Sequence, residues 1–516
     1  MNASWWKRAV IYQIHPRSFA DASGDGIGDL VGIQQHLDHL TWLGVDGLWL
    51  SPIYPSPMAD FGYDVANYTD VDPAFGTLEE FDDLLAAAHR RGLRLLLDWV
   101  PNHTSDRHPW FMASRGSRGN PYRDWYWWRD RSTTWPHAVD DAPSWTLDPR
   151  TDQYYLHHFL PQEPDLNWNN PVVRDAMHDT LRFWLNRGVD GFGANAIHLI
   201  GKDPALASHA FDPHLQARRE PPVSRNGVSC IGVRSDARIH QWLREIREVL
   251  DCYDGERIMV GEIDVPDPAT VFAHTGPEEL HLAFNFDLLW ASWDVETFRN
   301  AIASVESASA VADTWPAWAL SNHDTSRHRA RYGGSESRAR VAAVVLLTLR
   351  GTPFLYAGEE LGLEDAVVPA EMVVDPRRRE PCRAPIPWDD RPSHGWASET
   401  PWLPWPPDVH TRNADAQRRD QTSIARLYRR MLRRRRDDEV LQVGEIELLD
   451  VDAQVLAYDR VSPACRRRML ANFADQPVTL DAGDWTIVTA TRHDRENARF
   501  DGRVGATEAV VLQPAN

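Results

Sequence analysis

The segment Leu93-Arg94-Leu95-Leu96-Leu97-Asp98 is a short apolar run that ends in a carboxylate, a pattern typical of a buried strand in a parallel sheet. Just before it, apolar residues recur at helical spacing between Phe81 and Ala88, and Gly92 separates the two patterns. The same alternation of short strand and amphipathic helix begins at Val10. This order predicts an α/β fold built on a parallel sheet.

Continued along the chain, the pattern predicts eight parallel strands, at residues 10–14, 48–50, 93–97, 189–192, 258–261, 282–286, 317–321 and 353–356. Eight such strands with helices between them indicate a (β/α)8 TIM barrel. Residues 104–171 are dominated by Trp, Tyr, Pro, Asp and Arg, which indicates an inserted domain after the third strand. Short alternating segments near the end indicate a C-terminal antiparallel β domain. We therefore expect a barrel formed by 1–103 and 172–440, an insertion at 104–171 and a β domain at 441–516.

The composition argues against several classes of partner. The chain has 516 residues, with 55 Lys and Arg against 75 Asp and Glu, and its formal net charge of -20 disfavours nucleic acid and anionic membrane surfaces. The first twenty residues lack the long apolar core of a signal peptide. The cysteines have no C-x-x-C spacing, so free thiols and a cytoplasmic location are expected. They are Cys230, Cys252, Cys382 and Cys465.

Polar residues follow several of the predicted strands at the point where each strand ends. The third strand leads into Asp98 and His103, the fifth into Glu262, and the seventh into His323 and Asp324. In a barrel of this kind, the loops that follow the strands build the active site. We therefore expect these side chains to share one site.

Several motifs resemble those of glycoside hydrolase family 13, the α-amylase family, and in particular its intracellular α-glucosidase and oligo-1,6-glucosidase branch. They are AVIYQI at 9–14, GYDV at 62–65, DWVPNH at 98–103, QEPDLNW at 162–168, NHD at 322–324 and GTPFLY at 351–356. The resemblance covers nearly the whole chain. It implies a barrel with an inserted domain B and a C-terminal domain C. It also implies a small α-glucoside or oligosaccharide as ligand and no organic cofactor.

The resemblance also implies roles for individual residues. Glu262 matches the acid/base, and Asp324 matches the acid that grips sugar hydroxyls and favours a distorted ring. The other matching positions surround a single terminal glucose. They are Asp60 as a hydroxyl ligand, Asp64 as its structural neighbour, Tyr63 as an aromatic platform, His103 and His323 as donors, and Arg383 in the one-ring subsite.

The fourth strand departs from the family pattern Gly-Phe-Arg-x-Asp, in which Asp is the nucleophile and Arg orients it. Asn195 stands at the nucleophile position and Gly193 at the arginine position. Retaining glycosidases need two carboxyl groups about 5–5.5 Å apart. A neutral amide is a far weaker nucleophile and cannot offset charge on the transition state as an anion does. Retaining hydrolysis is therefore expected to be impaired, and Gly193 is expected to open room beside the sugar.

Several functions remain compatible with this sequence. The chain can be an α-glucosidase-like enzyme in which water, a carboxylate such as Asp324 or a group on the substrate replaces the nucleophile. It can be a sugar-binding pseudoenzyme, or an enzyme repurposed for a glycosylated or pseudo-sugar metabolite. A purely structural scaffold and an inactivated variant of a normal retaining α-glucosidase or transglucosidase are further alternatives. Ala196, which follows Asn195, gives a weak indication of α-1,4 linkages.

A Gly-rich loop before the first barrel helix carries alternating oxygen donors. They are Asp21, Ser23, Asp25, Ile27 and Asp29. This arrangement suits a hard cation, so a structural calcium ion is expected here. The loop resembles the metal loop of the family, with Ser23 where Asn is usual. The alternative is an Asx-type turn that holds the loop without metal.

Overall fold

The structure is a computed structural model that describes residues 4–132, 143–202, 238–265 and 267–515. Eleven strands precede the C-terminal sheet in these ranges. They are β1 (Ile11–Ile14), β2 (Gly47–Leu50), β3 (Arg94–Trp99), β4 (Trp128–Arg129), β5 (Trp145–Asp148), β6 (Gln153–Leu156), β7 (Gly191–Ala194), β8 (Ile258–Gly261), β9 (Leu282–Asn285), β10 (Ala317–Ala319) and β11 (Thr352–Tyr356). Eight of them close into a parallel barrel in the order β1-β2-β3-β7-β8-β9-β10-β11. The predicted barrel is confirmed.

Apolar side chains from the barrel strands fill its interior. They include Ile11, Trp49, Leu96, Ile258, Val260, Leu282, Phe284, Ala317, Ala319 and Phe354, which form one buried cluster. The parallel register aligns the strand ends, so that Asp98 on β3 pairs with Gly193 on β7. Residues that follow the strands therefore meet at the carboxyl edge of the barrel.

Helices alternate with the barrel strands along the chain and also occur outside the barrel. In the described ranges they are α1 (Trp5–Arg8), α2 (Leu30–Gln35), α3 (Leu37–Leu43), α4 (Leu78–Arg90), α5 (Pro109–Ser114), α6 (Pro171–Arg187), α7 (Arg238–Asp251), α8 (Pro268–Phe272), α9 (Asp287–Trp290), α10 (Val295–Val311), α11 (His328–Arg331), α12 (Glu336–Thr348), α13 (Val409–Arg412), α14 (Ala414–Arg419), α15 (Ile424–Asp437) and α16 (Glu439–Val443). None of these helices has the length and apolar composition needed to cross a membrane.

The residues at the two ends of helix α6 determine where the helix stops and where the next strand, which leads to the site, begins. The side chain of Asn170 accepts a hydrogen bond from the backbone N–H of Val172 and so caps the start of the helix. Gly188 ends the helix with φ 105°, a left-handed conformation that glycine adopts without strain. The chain then turns directly into β7, and Asn195 follows the last residue of that strand.

Three further sheets lie outside the barrel. Between β3 and α6 in the chain, the three short strands form an antiparallel sheet in the order β4-β6-β5. After α16, the remaining strands are β12 (Glu445–Asp452), β13 (Val455–Val461), β14 (Arg466–Asn472), β15 (Val478–Thr479), β16 (Trp485–Ala490), β17 (Arg503–Val504) and β18 (Ala509–Pro514). Five of them form the antiparallel sheet β12-β13-β14-β18-β16, and β15 pairs with β17, which confirms the C-terminal β domain. The exact domain limits given above stay predictions.

Candidate active site

The amide of Asn195 contacts the carboxyl group of Glu262 directly. Asn195 Nδ2 donates a hydrogen bond of 2.7 Å to Glu262 Oε2. Both backbones are held by neighbouring strands, because Asn195 N donates to Trp99 O at 2.8 Å and Glu262 N donates to Ala194 O at 2.9 Å. The nucleophile position and the acid/base position are therefore brought together at the carboxyl edge of the barrel.

Glu262 carries a proton at neutral pH. Burial and the negative charge of Asp324 together raise its pKa from 4.5 to about 8, although the hydrogen bond from Asn195 lowers it. A carboxylic acid with such a pKa can donate a proton to a leaving oxygen near pH 7.

Asp324 is held by three arginines. Its carboxylate lies 2.9 Å from Arg383 Nη2, 3.0 Å from Arg379 Nη1 and 3.4 Å from Arg377 Nη2. Burial alone would raise the pKa of Asp324, but His323 and these guanidinium groups hold it well below its usual range. Its oxygens are engaged in ion pairs, so the geometry disfavours the alternative in which Asp324 replaces the missing nucleophile.

Asp60 and Asp64 have different surroundings. Asp60 forms a buried ion pair with Arg379, which also binds Asp375. Asp64 instead accepts hydrogen bonds from Ser56 Oγ at 2.8 Å and from the backbone of the preceding loop. Asp60 is thus fixed at the site by an arginine, while Asp64 shapes the loop that carries it.

Tyr63 and His323 stack on one another beneath this cluster. Their rings lie 5.4 Å apart and 10° from parallel. The Tyr63 hydroxyl donates to Asp98 Oδ2 at 2.8 Å and lies 2.6 Å from His323 Nε2, while Gln13 Nε2 lies 2.8 Å from His323 Nδ1. Burial lowers the pKa of His323 to about 3, so its ring is neutral. A continuous hydrogen-bonded chain therefore runs from Gln13 to Asp98.

His103 lies against a buried glutamate. Its Nε2 is 3.3 Å from Glu163 Oε1. Burial lowers the pKa of His103, but the charge of Glu163 outweighs that effect with its neighbours, and the net shift is upwards. His103 therefore contacts Glu163 at the edge between the barrel and the inserted strands.

Lys202 is a site neighbour that the sequence did not reveal. Its fully buried Nζ lies 2.7 Å from Asn102 Oδ1, 2.6 Å from Leu199 O and 3.2 Å from Asp165 Oδ2. The ammonium group thus joins the end of β3, the inserted segment and the segment after β7. A single lysine at the end of an apolar stretch has no periodic or motif signal, and only the fold shows its partners.

The expectation that Gly193 opens room beside the sugar is wrong. A Cβ atom on Gly193 would lie 2.7 Å from Trp49 Nε1, 2.8 Å from Cε2 and 3.0 Å from Cζ2. The Trp49 ring projects into the barrel from β2 and stacks on Phe284 at 5.1 Å. Because the indole packs against the glycine, Gly193 is a packing position, and any larger residue there requires Trp49 to move.

The Asp21–Asp29 loop is held by its own backbone. Asp21 accepts hydrogen bonds from the N–H groups of Gly24 at 2.6 Å and Gly26 at 3.1 Å. Asp29 accepts from Ser23 N at 3.0 Å and caps α2 through Gly32 N at 2.6 Å.

These hydrogen bonds from backbone N–H groups to carboxylates are consistent with an Asx-type turn that holds the loop without metal. Asp25 likewise accepts from Ile27 N at 2.8 Å. Within the residues that the structure describes, no group of three or more His, Cys, Asp or Glu side chains converges as a metal site. Calcium binding by this loop stays a prediction.

The three cysteines in the described part of the chain are free thiols. Cys252 and Cys465 are exposed and free, and Cys382 is free and buried. Burial raises the pKa of Cys382 to about 12, so the thiol is unreactive although it lies beside His323. Cys230 lies outside the described residues.

Comparisons with known proteins find similarity to one enzyme family over most of the chain. The family described as "Alpha amylase, catalytic domain" matches residues 13–444. A probable alpha-glucosidase of Rhizobium meliloti (strain 1021) is 40% identical over 502 residues, which cover 93% of this chain and 91% of that protein. An oligo-1,6-glucosidase of Parageobacillus thermoglucosidasius is 34% identical over 529 residues, which cover 92% of each.

Solved structures show the same similarity. The crystal structure of an alpha-glucosyl transfer enzyme has 36% sequence identity and a TM-score of 0.90, and the match covers 99% of this chain and 100% of that one. A mutant of the trehalulose synthase MutB in complex with the substrate sucrose has 31% identity and a TM-score of 0.90, with the same coverage.

Proposed function

Because the chain belongs to the alpha-amylase family, we propose that it binds the non-reducing terminal α-glucosyl unit of a small α-glucoside and uses Glu262 as the proton donor. Ordinary retaining hydrolysis is impaired, because Asn195 stands where the nucleophile is required. The relatives that carry α-glucosidase and oligo-1,6-glucosidase names support this substrate class.

The hydrogen bond between Asn195 and Glu262 carries this proposal. The nitrogen of this amide donates to the acid/base, and the amide oxygen is a poor nucleophile. The acid itself is intact, since burial keeps Glu262 protonated at neutral pH. The site can therefore protonate a leaving oxygen but lacks the group that forms a glycosyl-enzyme intermediate.

An unpaired polar atom at the site supports sugar binding. Arg383 Nη1 is buried without a hydrogen-bond partner among the described residues. Buried polar groups of native proteins are nearly always satisfied, so such an atom at this site indicates a polar ligand. A sugar hydroxyl group can accept from this donor.

The finer parts of the proposal rest on the sequence. Ala196 is small and buried next to Asn195, which supports a weak preference for α-1,4 linkages. The cysteine pattern supports a cytoplasmic location. The net charge of -20 supports a neutral carbohydrate rather than nucleic acid or an anionic membrane as partner.

A binding protein that does not cleave its ligand is the second candidate. The hydrogen bond between Asn195 and Glu262 favours this second candidate. A sugar that binds between the two side chains must displace this bond, and no nucleophile is then available to attack it. The two candidates share the binding site and differ only in turnover.

Turnover and binding can be measured on the same purified chain. Maltose binding is followed by calorimetry, and product release is followed with p-nitrophenyl α-glucoside over long incubation. Slow turnover that disappears in Glu262→Gln supports the enzyme, and saturable binding without product supports the second candidate. A folded chain that binds neither sugar contradicts both.

A further inference from the structure

Asp98 lies in the floor of the site opposite Gly193. The two residues are neighbours in the parallel register of β3 and β7, so a side chain at position 193 would lie beside the Asp98 carboxyl group. Glycine supplies none, and the uncharged indole of Trp49 packs there instead. Asp98 is 1% exposed. A buried carboxyl group is therefore left without a cation on the neighbouring strand.

The contacts of Asp98 agree with a protonated acid. Its Oδ2 accepts the Tyr63 hydroxyl at 2.8 Å. Its Oδ1 has no partner in hydrogen-bonding geometry among the described residues, and neither does Trp49 Nε1. An ionised carboxylate in such surroundings is strongly disfavoured, so the group keeps its proton. Consistent with this, burial raises the pKa of Asp98 well above its usual range, and the charge of Glu262 in its ionised form raises it further.

The other site groups discussed above are, in the described part of the chain, either neutral or held in ion pairs. Asn195 is neutral, and Glu262 is protonated near pH 7. The carboxylates of Asp324 and Asp60 are bound by arginines, as described above. A positive charge placed on a bound sugar ring would thus meet neutral groups below it, and the carboxylates beside it are held in ion pairs with arginines.

We propose that Asp98, Gly193 and Asn195 form an uncharged floor, so that the site takes neutral α-glucosides and gives no preference to cationic sugar mimics such as protonated imino sugars. This inference rests on the proposed function. A carboxylate a few Å away attracts a cation through Coulomb's law, whereas an amide or a protonated acid does so only weakly. The same floor leaves an oxocarbenium-like transition state unstabilised.

Two ligands with the same hydroxyl groups test the inference by calorimetry at pH 6. They are 1-deoxynojirimycin, which carries a protonated ring nitrogen, and 1,5-anhydroglucitol, which carries a neutral ring oxygen. The unmodified chain is expected to bind both with dissociation constants within about threefold of one another. Asn195→Asp is expected to shift this ratio by at least about tenfold towards the imino sugar.

The outcomes separate this inference from the proposed function. If the unmodified chain prefers the imino sugar by about tenfold or more, the uncharged floor is wrong while sugar binding stands. If the folded chain binds neither ligand, the proposed function fails and the inference with it.

The proton on Asp98 can be observed directly. In protein labelled with 13C at the aspartate carboxyl groups, the Asp98 resonance is identified by its loss in Asp98→Asn. This variant keeps an acceptor for Tyr63 and a donor in place of the acidic proton. The resonance is expected at the protonated position at pH 6. A resonance at the ionised position at pH 6 would overturn the inference.

Discussion

Asn195 and Glu262 are joined by a side-chain hydrogen bond of 2.7 Å across the carboxyl edge of the barrel. In a retaining glycosidase these two positions hold a nucleophile and an acid that act on opposite sides of one bond. Here the first is an amide that donates to the second. Under the proposed function, the acid is therefore present and the nucleophile is absent, so the site is expected to donate a proton without forming a glycosyl-enzyme intermediate.

Glu262→Gln should remove any residual cleavage without removing sugar binding. The amide keeps the size of the side chain but cannot donate a proton to the leaving oxygen, so kcat is expected to fall by about 10²–10⁴. Steady-state rates on an aryl α-glucoside and on maltose test this, with calorimetry as the binding control. Unchanged turnover in the folded variant would show that Glu262 is not the acid.

The pH dependence of residual activity should reflect the raised pKa of Glu262. Only the protonated acid donates, so kcat/KM is expected to decline as the pH rises through about 8. Asn195→Ala removes a hydrogen bond that lowers this pKa, and should move the decline to higher pH. A decline near pH 5 in the unmodified chain would contradict the assignment.

The stability of the fold should depend on the same proton. Because the folded pKa of Glu262 lies above its ordinary value of 4.5, the protonated form contributes stability that is fully present below that value and is lost as the pH rises through about 8. The part of this loss due to Glu262 is expected to disappear in Glu262→Gln. Denaturant unfolding at a series of pH values checks it, and identical pH profiles for the two proteins would contradict it.

Gly193→Ala should destabilise the barrel although it adds only one methyl group. The new Cβ would lie under 3.0 Å from the Trp49 ring, and such overpacking typically costs about 1–3 kcal/mol. A Cβ added at Gly119 would meet nothing within 4 Å, so Gly119→Ala is a matched control expected to stay within about 0.5 kcal/mol. Adding Trp49→Leu should recover part of the loss, and additive effects in that double variant would contradict the contact.

Lys202→Met should lower the free energy of unfolding by about 3–5 kcal/mol, since it leaves the carboxylate of Asp165 buried without its ammonium partner. Lys7, the other lysine of the chain, is partly exposed and contacts Trp6 and Trp315 only through cation–π interactions. Lys7→Met is therefore the control and should cost no more than about 1 kcal/mol. Equal losses in denaturant unfolding would show that the buried ion pair has no special role.

The sequence predicted the parts of this molecule that depend on local patterns. Short apolar runs followed by carboxylates located the barrel strands, and strand ends placed Glu262 and Asp324 at one edge. The sequence did not predict the contacts that depend on packing between distant segments of the chain. Trp49 reaches Gly193 from another strand, Arg379 joins Asp60 to Asp324, and Lys202 finds Asp165 in the insertion. No periodic pattern in the sequence indicates these contacts, so they are seen only in the folded structure.

The double variant Gly193→Arg with Asn195→Asp tests the central claim that an otherwise intact sugar site lacks only its nucleophile pair. The measurement is kcat/KM on p-nitrophenyl α-glucoside, with folding checked by thermal unfolding, since Trp49 must move to admit the arginine. The account predicts a gain of at least about 10³-fold over the unmodified chain. A folded double variant that binds the sugar and remains inert would contradict it.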